Sequence, residues 1–257
     1  MKRRAIIGDV HGCIEEFKEL YARLEWQSID EIVSVGDLVD RGPDSGACVQ
    51  FAMDKKILTV MGNHEDSIIR LWDKKVQFDP ERDPKNHKIV TLSQMNDQRM
   101  EWMRNLPKLH VYDDSGLVVV HGGLFPGYPL YAQPHNVIRA QMVHPYRRKK
   151  DGDVRWWGID AAKHKSKMTE EQNRAEGYVR WYEAYDGEED VVYGHSVFVQ
   201  PFIHQNKGKG RTIGIDTGNV FGGVLTAVIH GERSLYFVSV PPKKIYCEDK
   251  QEKFKPR

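Results

Sequence analysis

An α/β fold around a parallel sheet is predicted by three features of this sequence. Short apolar runs recur along the chain, helix-length segments separate the first three, and the runs end on polar clusters that contain glycine. Strand–loop–helix alternation requires crossover connections, which leave sequential strands parallel. The 257 residues suit one large α/β domain or two small ones, and 40% apolar content supports a substantial core.

The first strand is Arg4-Ala5-Ile6-Ile7, stopping at Gly8. A helix follows from about Cys13, because Ile14, Phe17, Leu20, Tyr21 and Leu24 share one face at helical spacing. Ile32 to Val35 is the second strand, and Pro43 opens a helix through Met53. Ile57 to Met61 is the third strand. A partly helical variable segment spans about 66–110. Leu117 to Val120 is a β-branched strand, followed by a polar, aromatic and irregular stretch at about 124–190. Further strands are Val191 to Tyr193, Ile213 to Ile215, Val224 to Ile229 and Leu235 to Val240, the last two joined as a hairpin at Gly231. One domain is expected over 1–240, with a basic, loosely held tail at 241–257.

Composition excludes several classes. Thirty-eight basic residues balance 37 acidic ones, so the chain as a whole has no pull toward nucleic acid or membrane. Cys13, Cys48 and Cys247 form no CxxC pair, which speaks against a disulfide framework and a thiolate zinc site. No run approaches the ~20 apolar residues of a membrane span, and no signal-peptide core is present. A cytoplasmic, reducing location is the expectation.

The chemistry lies at six strand ends. These are Gly8-Asp9-Val10-His11, Gly36-Asp37, Gly62-Asn63-His64-Glu65, His121-Gly122-Gly123, Gly194-His195 and Asp216-Thr217-Gly218. Open α/β sheets bind ligands outside the carboxyl ends of their strands, so one rim would gather carboxylates, an amide and imidazoles. A single strand-end Asp is ordinarily a turn or capping residue, and a lone His ordinarily a satisfied core residue. Recurrence of the same chemistry at six strand ends argues otherwise. Oxygen and nitrogen donors without thiolate suit manganese first, with iron, zinc, cobalt or nickel as alternatives. Two such ions ~3.5–4 Å apart clamp a phosphoryl group for in-line attack.

With Gly36-Asp37-Leu38-Val39-Asp40-Arg41-Gly42 added, these motifs resemble the phosphoprotein phosphatase superfamily of metallophosphoesterases, in the family's order from residue 8 to 195. The resemblance implies a calcineurin-like β-sandwich flanked by helices on both faces, with the site at the rim between the sheets. It implies that Asp9, His11 and Asp37 ligate one divalent metal and that Asp37, Asn63, His121 and His195 ligate a second, with Asp37 bridging. Arg41 resembles the guanidinium that grips phosphate, and His64 the general acid, oriented and kept cationic by Asp40. A hydroxide bridging the two ions is the implied nucleophile, without a covalent phosphoenzyme. Cys13 lacks a phosphate loop around it and is expected to be a small buried residue.

Ile215 to Val228, "IDTGNVFGGVLTAV", and Trp181 to Ser196 resemble the bacterial-type symmetrical diadenosine tetraphosphatases and the phosphatase module of bacterial polynucleotide kinase-phosphatases. That branch implies cleavage of a dinucleotide polyphosphate, diadenosine tetraphosphate to ADP, and places Asp216 in the site. The alternatives are a Ser/Thr phosphoprotein phosphatase and an RNA-end or decapping-type phosphatase. A second phosphate-binding arginine has two candidates, Arg155 and Arg180, each of which could equally be a surface residue stacked on Trp. Trp156, Trp157, Tyr178 and Trp181 are candidates for nucleobase stacking or for packing. Basic clusters at 147–150, 163–167 and 207–211 would either meet a polyanion or lie as solvated loop charge, so nucleic acid is not specifically indicated.

Overall fold

Strand alternation sorts the apolar side chains into three layers around two sheets. The computed structural model describes residues 1–74, 86–147, 154–158, 169–232 and 234–248, with backbone alone at 145–147 and 154–158. In chain order the elements are β1 (Arg4–Ile7), α1 (Ile14–Glu25), β2 (Glu31–Ser34), α2 (Ser45–Asp54), β3 (Leu58–Thr59), α3 (Asn63–Asp73), α4 (His87–Ser93), α5 (Asp97–Arg104), β4 (Leu109–Tyr112) and β5 (Leu117–Val120). They continue with β6 (Met142–Arg147), β7 (Val154–Gly158), α6 (Glu170–Ala175), β8 (Val179–Arg180), α7 (Trp181–Ala184), β9 (Asp190–Tyr193), β10 (Phe202–Gln205), β11 (Arg211–Gly214), β12 (Leu225–Gly231) and β13 (Ser234–Val240).

The first sheet has the order β13-β12-β1-β2-β3 and the second β10-β11-β9-β5-β4. β1, β2 and β3 run parallel, as do β5, β9 and β11, and antiparallel strands flank both sets. The sheets are therefore mixed rather than purely parallel. Ile6, Val33, Leu117, Val119, Val192 and Val228 fill the space between them. Their strand neighbours point the other way. Ala5, Ile7, Ala227 and Ile229 meet residues of α1, α2, α3 and α5 on the outer face of the first sheet. Val118, Val120, Val191 and Tyr193 meet Trp181, Val137 and Leu124 on the outer face of the second.

The expected helical face on α1 is present, with Phe17, Leu20 and Leu24 fully buried, each contributing about 1.5–3 kcal/mol. The second helix begins later than Pro43, because Asp44 caps it by accepting from the Ala47 amide at 2.8 Å. The stretch at 124–190, irregular in its sequence pattern, contains a third sheet, ordered β7-β6-β8, which with α7 covers the second sheet. Strands β4 and β10, four residues each, add to what the sequence pattern predicts. The described part of the tail is held rather than loose. Glu16 accepts from the Lys243 amide at 2.6 Å and the Tyr246 hydroxyl at 3.1 Å, and Cys247 is buried beside Val220. Among the described residues, no helix is long and apolar enough to cross a membrane.

Candidate active site and metal centre

The carboxyl ends of the parallel strands of both sheets open onto one cleft, lined by Asp9, His11, Asp37, Arg41, Asn63, His64, Gln141, His195, Val197 and Asp216. All the predicted metal ligands except His121 line it. His121 is buried directly behind, with Nε2 at 3.2 Å from Asp37 Oδ2 and 3.0 Å from Asn63 Oδ1. A larger groove beside Tyr21, Lys55 and Leu58 carries no comparable cluster of acids and imidazoles.

The turns that build this cleft are conformationally demanding. Among the described residues, non-glycine residues with positive φ are His11, Ser28, Asp37, Asp40, Arg41, Lys56 and His195. Five of these seven are predicted site residues, and such conformations cost on the order of 1–3 kcal/mol each. The strand-end glycines are needed for close approach. A Cβ on Gly194 would stand 2.0 Å from Asp9 Oδ1, and one on Gly62 would stand 2.2 Å from Asp37 Oδ1.

Glu65 holds this geometry from below, a role that the sequence motif did not reveal. It is fully buried, and its carboxylate accepts from the backbone amides of Asp37 (2.9 Å), Leu38 (2.7 Å), Val39 (3.3 Å) and Gly62 (3.1 Å). Burial pushes its carboxyl up to about 7, against the pull of those amides. The only sequence signal was its place as fourth residue of Gly62-Asn63-His64-Glu65.

The side chains in the cleft are predominantly acceptors. The Nδ1 atoms of His11 and His121 lie 3.0 Å and 2.8 Å from the carbonyls of Val39 and Val35. Carbonyls only accept, so both Nδ1 atoms donate, and in a neutral ring the Nε2 lone pair points inward. There it meets the carboxylate of Asp37 and, for His121, the amide oxygen of Asn63. Neutral rings would set acceptor against acceptor, which a bound metal ion resolves, or a proton on the His121 ring where none is bound. Carbonyl-oriented imidazoles are also the usual arrangement of metal-ligating histidines. His11, Asp37 and His64 bring ligand atoms within 4.8 Å of one another, and so do Asp37, His121 and His195. Asp37 belongs to both groups, as a bridging ligand would. The structure adds His64 to the first group, while Asp9 accepts from the His195 amide at 3.0 Å. These donors fit divalent metal ions.

Electrostatics divide the cluster. Burial and Asp216 push the Asp9 carboxyl well above its usual range. Asp37 is held well below its own, because the charges of His121 and His64 overcome burial. Burial and His64 lower His11 to about 3. Burial acts the same way on His121, but the Asp37 carboxylate beside it raises it to about 10.

His64 Nδ1 donates to Asp40 Oδ2 at 2.7 Å, and its Nε2 lies 3.4 Å from Arg41 Nη2. The Arg41 guanidinium sits 5.0 Å from the ring centre of Phe221. Asp216 reaches the cleft, as expected. Arg180 does not line it, because its Nη2 donates to Glu170 at 2.6 Å. The Arg155 side chain lies outside the described residues. Trp181 is only 1% exposed and is a core residue rather than a stacking platform. Of the basic clusters, Arg211 pairs with Asp190 at the amino-terminal ends of their strands, away from the cleft, whereas 148–150 and 163–167 lie outside the described residues. Cys13 is buried, and burial raises its thiol far above the range of a nucleophile.

The model of the calcineurin-like phosphoesterase family matches residues 2–198, which carry five of the six strand-end clusters. The chain belongs to this family. It is a metal-dependent phosphohydrolase with the fold that its sequence predicted. It is 30% identical to the bis(5'-nucleosyl)-tetraphosphatase PrpE, asymmetrical, of Anoxybacillus flavithermus, over 98% of both chains. It is 26% identical to the symmetrical bis(5'-nucleosyl)-tetraphosphatase of Hamiltonella defensa, over 95% of this chain and 98% of the relative. A crystal structure provisionally described as a diadenosine tetraphosphatase superposes with a TM-score of 0.70 at 24% identity, covering 94% of each chain, and supports the fold.

Proposed function

We propose that this phosphohydrolase cleaves phosphoanhydride bonds of dinucleoside polyphosphates, converting diadenosine tetraphosphate to ADP. The observation that carries this reading is likeness, over nearly the whole chain, to relatives named bis(5'-nucleosyl)-tetraphosphatases. Four phosphates can also split one and three, giving ATP and AMP. The relatives' names divide between the two cuts, asymmetrical for one and symmetrical for the other, and the products decide between them.

Asp9, His11 and Asp37 would hold one divalent ion, and Asp37, Asn63, His121 and His195 another, with manganese the metal we favour for this donor set. When bound, such ions activate water at neutral pH and neutralise charge on a phosphoryl group. Arg41 grips a non-bridging oxygen as charge develops on it. His64, with Nδ1 fixed by Asp40, passes a proton from Nε2 to the leaving oxygen. Asp216, beside Asp9, adds negative charge that helps retain the cations. A reducing cytoplasmic setting fits the three free, buried cysteines.

The test compares diadenosine tetraphosphate with a phosphoserine peptide and a triphosphorylated RNA end, with Mn²⁺ present, by kcat/KM and product identity. Preference for the dinucleotide with ADP as sole product is expected. ATP plus AMP would move the cut by one phosphate. Preference for the peptide or the RNA would overturn the substrate assignment.

A further inference from the structure

We propose that Gln141 is a substrate-binding residue that selects internal, singly charged phosphoryl groups over terminal phosphomonoesters. This rests on the dinucleotide reading above and goes beyond it, since Gln141 belongs to none of the strand-end motifs. Apart from Val197, it is the cleft-lining residue to which neither the motifs nor the metal groups give a role.

Gln141 is built into place. Its carbonyl accepts from the Trp181 amide at 3.1 Å, and the next residue, Met142, pairs with Arg180 across β6 and β8. Trp181 packs so tightly on Gly123 that a Cβ there would stand 2.3 Å from the indole nitrogen. Gly122 admits the preceding segment in the same way, because its Cβ would lie 2.5 Å from the Val137 carbonyl and 2.6 Å from the Ala140 nitrogen. The two glycines after His121 thus hold the 137–141 segment against the strand end that carries a metal ligand. Among the described residues, the Gln141 carboxamide has no hydrogen-bond partner.

The neighbouring arginines are occupied elsewhere. Arg139 donates to Asp66 at 2.6 Å and lies 3.5 Å from the Asn63 carbonyl, and Arg180 is paired with Glu170. Among the described side chains, Arg41 is the one guanidinium lining the cleft. A carboxamide donates hydrogen bonds without adding charge. A terminal monoester carries close to two negative charges near pH 7, whereas an internal phosphoryl of a polyphosphate chain carries one and continues through bridging oxygens. One guanidinium with one neutral donor matches the second better than the first.

The test measures kcat/KM for diadenosine tetraphosphate and for p-nitrophenyl phosphate in wild type, Gln141→Ala, Gln141→Asn, Gln141→Arg and Arg155→Ala. Thermal melts confirm folding. Gln141→Ala should lower the dinucleotide-to-monoester ratio about tenfold, the worth of one good hydrogen bond to a charged group. Gln141→Asn should retain part of the ratio, and Gln141→Arg should raise monoester turnover. An unchanged ratio in both the Ala and Arg variants would overturn the proposal, as would a collapse of the ratio in Arg155→Ala alone. Failure of wild type to cleave the dinucleotide would break the substrate reading instead. Gln141→Arg would then still decide, because a raised monoester rate supports the contact and an unaltered rate removes it.

Discussion

The two ends of the sandwich handle charge in different ways. At the amino-terminal ends of the parallel strands, charged groups are paired, several of them partly exposed. Arg4 donates to Glu31 at 2.8 Å and Asp114 at 2.9 Å, and Asp190 accepts from Arg211 and lies 3.0 Å from His230 Nε2. At the carboxyl-terminal rim, Asp37 stands among His11, His64, His121 and Asn63, and His11 and Asp37 both adopt positive φ. The matched end joins the two sheets, since Arg4 and His230 come from one while Asp190 and Arg211 come from the other, and Asp114 lies between β4 and β5. The fold pairs carboxylates with arginine where the sheets join, and at the rim it gathers imidazoles around the Asp37 carboxylate.

Asp37→Asn should have the largest effect. Weakening the ligand shared by both groups should lower kcat/KM on the order of 10³-fold, equivalent to several kcal/mol of lost charge stabilisation. Calorimetry of metal-free protein should show a loss of stability as well, because the Asp37 carboxylate is held in its charged form by His121 and His64.

His64→Ala comes next. Removing a general acid typically costs ~10²–10⁴-fold and hurts most where the leaving group is poor. Steady-state kinetics should therefore show a larger loss on an alkyl phosphate than on a phosphoanhydride. Equal losses would remove His64 from that role.

Chelation acts at the rim alone. Ions bound at 100 times their dissociation constant stabilise by about 2.7 kcal/mol per site. Titrating EDTA during thermal melts should lower the midpoint of wild type, and lower that of Asp37→Asn by less, at most one site's worth.

The matched end gives the smallest effect, and on stability rather than rate. Burial would raise the Asp190 carboxyl, but its bonds to His230 and Arg211 hold it below the carboxylate range. A depressed folded pKa contributes stability above the unfolded value of about 3.9, lost as pH falls toward the folded value. Asp190→Asn should cost about 2 kcal/mol near pH 7 with kcat unchanged, and its melting curve should converge on wild type in acid.

Much of the rim was legible because its chemistry is local. Asp9, Asp37, Asn63, His121 and His195 each follow an apolar run and adjoin a glycine, so strand position and residue type point the same way. Glu65 was not, because its four amide contacts exist only once the loop at 37–39 folds over α3. Strands β4 and β10 are four-residue flanking strands that are partly exposed, too short and too solvated to show a period. Arg180 resembled a phosphate ligand in sequence, but its partner Glu170 lies ten residues away in a segment without motifs. Gln141 had no signal either, since a polar residue at the start of a short strand looks like any loop residue until Trp181 fixes it.

The most direct measurement is metal stoichiometry. Wild type, Asp37→Asn and Asp190→Asn would each be loaded with Mn²⁺, freed of excess by gel filtration and analysed by plasma emission spectroscopy. Two ions per chain in wild type and Asp190→Asn, and at most one in Asp37→Asn, is the predicted result. Fewer than two in wild type, or equal content in wild type and Asp37→Asn, would contradict a rim built to hold two cations across a shared carboxylate.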